Sequence, residues 1–176
     1  MGPEPGCGSQ ARSVAYCVQR GFRRRDPRAL CRCRAQAHRR GPCAGPVYGV
    51  YLLDVDTPSW REIGDGTYGL SQAQMRWIWD GYLEGHDADP SDPRIAPAHA
   101  DLAGLPYIWV MVGDLDPLID DSHALADNLV AAGVPHQLKV EEGMTHFIWM
   151  WQRLYQRSRA SIAEAGAVLK RELRRA

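Results

Sequence analysis

The chain has 176 residues, 45% of them apolar and 24% charged, with no formal net charge at pH 7. That suits one soluble domain with a real core. It excludes a membrane-spanning chain, because the longest apolar runs fall far short of the roughly 20 residues needed to cross a bilayer.

The neutral total hides a split. Residues 1–46 hold ten Arg and no Lys against two acids, Glu4 and Asp26, so this segment carries +8 and the remainder −8. All five cysteines (Cys7, Cys17, Cys31, Cys33 and Cys43) lie in the same segment. The rest of the chain therefore has no disulfide framework, which fits a reducing cytoplasm. The opening MGPEPGCGSQARSVAYCVQRGF lacks the unbroken apolar core of a secretory leader. Gly6 also stands where a myristoylation pattern needs Ser or Thr.

Residues 1–46 show neither a period of 2 nor one of 3.6. GFRRRDPR and RCRAQAHRR carry the charge of a nucleic-acid arm, yet no nucleic-acid-binding fold follows, so no such partner is expected. Cys31, Cys33 and His38 could contribute to a zinc site, but Cys-x-Cys alone lacks the paired spacing such sites use. The preferred reading is a disordered or non-native leader, since its Arg, Ala, Gly, Pro and Cys bias is what GC-rich codons encode out of frame. Translating the gene in all three frames tests this hypothesis, and it fails if no other frame encodes a better globular sequence.

Residues 47–176 form the expected domain. Val47–Leu53 is an apolar, β-prone run ending in acids at Asp54 and Asp56. As a strand it would expose an unpaired edge, through which self-association is possible. A polar loop then leads to Ser71, a good N-cap for a helix from Gln72 to about Leu83, with Met75, Ile78, Trp79 and Tyr82 at helical spacing. GHDADPSDPRIAPAHADLAGLP reads as an ordered loop with at most a short helix.

Leu105–Gly113 is a short run rich in Val, Ile and aromatics, the pattern of a buried parallel strand. Acids follow at once, and Asp114 and Asp116 would face the crevice at the carboxyl end of the sheet. Asp120 and Asp121 suit the start of a helix over about Ser122–Ala132, with Leu125, Leu129 and Ala132 inward and Gly133 as its C-terminal cap. His136–Glu141 is the next strand, and its following loop carries His146. Ser158–Arg174 closes the chain as an amphipathic helix with Ile162, Ala165, Leu169 and Leu173 on one face. Alternating strands and helices predict an α/β fold with a mostly parallel sheet.

Asp116-Pro117-Leu118 with Asp120, the AAGV turn, and EEGMTH ending at His146 resemble the C-terminal part of the α/β-hydrolase fold, specifically the hormone-sensitive-lipase-like esterases. GLSQAQMRWIWDGYL, DPRIAP and DLAGLPYIWVMVGDLDPL follow that family's order, so the resemblance spans roughly residues 47–151. It implies a small-molecule acyl ester as substrate; nothing in the sequence implies a cofactor, and no metal is expected. It also implies a Ser-His-Asp relay with Asp116 as the acid and His146 as the general base. Phe147 directly follows the histidine, where the family usually has Gly and then Phe. The family's G-x-S-x-G elbow and HGGG loop do not occur; Cys7-Gly8-Ser9-Gln10-Ala11 and Gly69-Leu70-Ser71-Gln72-Ala73 are the nearest approaches. The expectation is thus a partial α/β-hydrolase fold that lacks the catalytic N-terminal half and is catalytically incomplete as written.

Two other readings stay open on the residues alone. Asp54 and Asp56 in YGVYLLDVDTP, with VGDLDPLIDD, resemble the acidic motifs of a magnesium-dependent haloacid-dehalogenase-type phosphatase, although Thr57 comes one position early and no lysine precedes Gly113. A non-catalytic interaction module of hydrolase ancestry would keep Asp116 and His146 by descent alone.

Overall fold

The computed structural model describes residues 49–84, 89–146 and 148–174, so the cysteine-bearing leader, Val47, His86 and Phe147 lie outside the described residues. Along the chain come helix α1 (Pro58–Ile63), helix α2 (Gln72–Leu83), a 3-10 turn at Pro97–His99, strand β1 (Ile108–Gly113), helix α3 (Ile119–Ala131), strand β2 (His136–Glu141), a second 3-10 turn at Ile148–Trp151, and helix α4 (Gln156–Leu173). β1 and β2 pair in parallel, from Ile108 opposite His136 to Gly113 opposite Glu141, with α3 as the crossover between them.

Because side chains alternate across a strand, β1 feeds two cores. Ile108 and Val110 pack with Leu125 and Leu129 of α3, and with Tyr51, Ala98, Leu102 and Val134. Trp109 and Met111 face the other way, onto Val168 of α4 with Ala165, Tyr107, Met144 and Trp149 beside them. Every residue of β1 is buried, whereas β2 is half-exposed. The βαβ unit is therefore a sheet with one helix on each face, as the alternating pattern predicts. A third cluster gathers Val55, Trp60, Leu70, Met75 and Leu118 beneath α1 and α2.

The helix ends follow local chemistry. The Ser71 hydroxyl accepts from the Gln74 amide at 3.1 Å, and the Gln74 side-chain oxygen accepts from the Ser71 amide at 3.0 Å, a reciprocal capping box. Ser71→Ala is expected to cost about 1 kcal/mol of stability, read by urea denaturation. A loss below a few tenths would mean the cap does not hold this helix. At the far end of α3, Gly133 takes φ +66, its amide donates to the Val130 carbonyl at 3.0 Å, and the Val134 amide donates to the Leu129 carbonyl at 2.9 Å. That pair of bonds is a Schellman stop, and Val134 and Leu129 meet in the same core.

Three expectations are corrected. Residues 49–53 form no strand, because the Tyr51 and Leu52 amides both donate at 2.9 Å to Asp121 Oδ2 instead of to a neighbouring strand. The sheet edge anticipated there is absent from those residues. On α2, Met75 is buried, but Ile78 is exposed along with Trp77, so the inward stripe is narrower than its apolar spacing suggests. α4 is rotated about its axis from the expected face. Ser158, Ser161 and Val168 are buried, whereas Leu169 and Leu173 are about half exposed. Polar partners on β2 fix the rotation: the Ser161 hydroxyl donates to Glu141 Oε1 at 2.6 Å, and Lys139 bridges Glu141 and Glu164.

Candidate active site

Parallel pairing puts the ends of β1 and β2 on one side of the sheet, so the segments that follow them are neighbours. After β1, the Asp116 amide donates to the Gly113 carbonyl at 3.2 Å, and the Ile119 amide donates to the Asp116 carbonyl at 3.0 Å. These turns carry the backbone directly into α3, which begins at Ile119, three residues earlier than the apolar pattern indicates. Asp116 sits inside that turn with no solvent exposure. One of its oxygens, Oδ1, accepts from the Leu118 amide at 3.0 Å. The other, Oδ2, lies 2.9 Å from Nδ1 of His146, whose side chain is 13% exposed. The two residues that the resemblance singles out thus meet in a hydrogen bond shielded from water.

Asp114 does not join them. Its Oδ1 accepts from the Gly143 amide at 2.7 Å and from the Met144 amide at 3.2 Å, in the segment that leads to His146. Gly113 lies against the same segment: a Cβ there would stand 1.9 Å from the Met144 carbonyl oxygen. Only glycine allows that approach of two backbones.

The remaining acids of this stretch hold other parts of the chain. Asp120 Oδ2 accepts from the Ser59 amide at 2.8 Å, capping α1, whose own N-cap Thr57 makes no side-chain cap bond. Asp121 is fully buried, and its second oxygen, Oδ1, has no hydrogen-bond partner. Burial is the main cause that pushes its carboxyl up to about 7; the amides of Leu52 and Tyr51 oppose the shift, and the nearby Asp116 and Asp120 carboxylates reinforce it. Burial likewise raises the Tyr51 phenol well above its usual range, although its oxygen accepts from the Gly49 amide at 3.1 Å. From the sequence Asp121 shows only a favourable place for the helix dipole. Its clasp on residues 51 and 52 spans some seventy positions and leaves no local signature.

Asp54 and Asp56 are engaged locally, Asp54 accepting from the Asp56 amide at 2.8 Å and Asp56 pairing with Arg61. Among the described residues, no three His, Cys, Asp or Glu come together as metal ligands. Nor is any helix there long and apolar enough to cross a membrane.

A parallel βαβ unit with a buried aspartate and a histidine meeting at the carboxyl end of its sheet is an α/β arrangement with its polar groups where open sheets bind ligands. A family profile described as alpha/beta hydrolase fold matches residues 29–150, starting before the expected boundary between 46 and 47. The chain belongs to that family, in its fold-3 esterase branch. It is 36% identical over 102 residues to an acetyl-hydrolase of Streptomyces hygroscopicus, a match covering 57% of this chain and 33% of that protein. It is 33% identical over 102 residues to the carboxylesterase NlhH of Mycobacterium tuberculosis, covering 56% of this chain and 32% of the relative. Among solved structures, a thermostable esterase from Pseudomonas putida superposes with a TM-score of 0.70 at 28% identity, over 77% of this chain and 43% of that one. The chain spans about a third of the length of these two curated relatives.

Proposed function

We propose that this chain carries the acid and the base of an ester-hydrolysing relay acting on small-molecule acyl esters. The observation that carries the reading is the buried 2.9 Å contact between Asp116 Oδ2 and His146 Nδ1. A carboxylate accepting from Nδ1–H fixes the imidazole tautomer and orientation, which makes Nε2 the nitrogen that takes the proton of an attacking hydroxyl. As the imidazole becomes imidazolium, the Asp116 charge stabilises it. The same nitrogen then returns the proton to the leaving alkoxide. The Leu118 amide bound to Asp116 Oδ1 keeps the carboxylate from turning away.

The relay needs a hydroxyl to act on. The 176 residues contain no G-x-S-x-G elbow, and Ser71 is engaged as a helix cap. A polypeptide of this sequence alone is therefore expected to leave p-nitrophenyl butyrate unhydrolysed above background. Turnover that disappears in His146→Ala would show that the chain supplies its own nucleophile and would overturn that expectation. The relay itself is tested by proton NMR. His146 should give a far-downfield Nδ1–H resonance that moves upfield in Asp116→Asn, where the acceptor loses its charge. A wild-type spectrum without that resonance, in folded protein, would sink the reading.

A further inference from the structure

We infer that Asp114 is a positioning residue for the His146 loop, its carboxylate locking the backbone of Gly143 and Met144 so that the imidazole meets Asp116. The inference rests on the relay reading above for its functional meaning, but the contact itself is independent of it. Gly143 adopts φ +70, a left-handed turn that presents two successive amides, its own and that of Met144, to one point. Asp114 Oδ1 occupies that point, at 2.7 and 3.2 Å. Two backbone bonds flank it: the Asp114 amide donates to the Glu141 carbonyl at 3.1 Å, and the Leu115 amide donates to the Met144 carbonyl at 3.0 Å. The acid loop and the histidine loop are thus fastened to each other between the sheet and the relay. The fastening ends at Met144, two residues before His146. Asp116 sits two residues beyond Asp114 on the other strand end, so one side chain sets the spacing of both relay members.

Without the carboxylate, the two amides of a glycine turn would have to find water, and the segment would sample other paths. Asp114→Ala is expected to raise amide hydrogen exchange at Gly143 and Met144 by about tenfold or more. It should also broaden or abolish the downfield His146 Nδ1–H resonance while the core amides of β1 stay protected. Asp114→Asn keeps an oxygen at the same place and should restore both signals, which a general loss of stability would not do. Should Asp114→Ala not fold, Asp114→Glu carries the test, because its longer arm moves the acceptor and must still perturb His146. Unchanged exchange and an unchanged resonance in folded Asp114→Ala or Asp114→Glu overturn the inference. Wild-type protein lacking the His146 resonance, yet showing Asp114-dependent exchange at Gly143 and Met144, would instead refute the relay and leave the loop contact standing.

Discussion

Asp121→Asn is expected to flatten the dependence of stability on pH between 3.8, the ordinary value of a carboxyl, and about 7, and Asp121→Ala to flatten it likewise while lying below Asp121→Asn at every pH in that range. Because the folded carboxyl holds its proton more tightly than the unfolded one, the folded state binds more protons in this window. Its contribution to stability is fully present below 3.8 and is lost as pH rises through about 7. Burial is the main reason, helped by the Asp116 and Asp120 charges, and the oxygen left without a partner adds to the cost of ionisation. Asn removes the charge while keeping an acceptor for the Tyr51 and Leu52 amides. Ala removes the acceptor too, stranding those donors beside the core at a cost of about 3 kcal/mol. Urea denaturation of wild type and both variants near pH 5 and pH 8 distinguishes the two effects. A pH slope in Asp121→Asn equal to that of wild type would mean that Asp121 does not titrate in this range.

Gly113→Ala is expected to do comparable damage by a different route. The added methyl group would lie 1.9 Å from the Met144 carbonyl oxygen, a backbone atom in a segment already tied to Asp114 and Leu115. No side-chain rotation can relieve that contact, so either β1 or the His146 segment must shift. Overpacking of this kind costs about 3 kcal/mol when the neighbour is backbone. The shift should also separate His146 from Asp116 and remove the downfield imidazole proton even in the molecules that remain folded. Gly81, where an added Cβ meets nothing within 4 Å, is the matched control. Gly81→Ala should leave the resonance in place. A Gly113→Ala protein as stable as wild type, with His146 unmoved, would show that the two loops are not held at the separation described.

Much of this architecture is legible in the residues themselves. β2 and α2 fall on the predicted ranges, α2 because a Ser-x-x-Gln box is local physics. The Asp116–His146 contact was anticipated through resemblance, and parallel pairing of successive strands makes it geometrically natural. The rotation of α4 is not legible in the sequence, because hydrophobicity alone marks Leu169 and Leu173 as inward. In the fold Ser158, Ser161 and Val168 are the buried positions, and Ser161 reaches Glu141. The fate of residues 49–53 is not legible either, because strand propensity says nothing about which partner the backbone amides will find.

By itself the sequence determined an alternating α/β chain with an acid after one strand and a histidine after the next, since spacing along the backbone is enough to put both at one end of a parallel sheet. Only the tertiary structure decided what the acids around Asp116 do: Asp114 fastens a loop, Asp120 caps a distant helix and Asp121 clasps residues 51 and 52. Four acids within eight positions are chemically alike in sequence. Their roles diverge because a hydrogen bond depends on which donors folding brings within about 3 Å, and those donors come from segments up to seventy residues away.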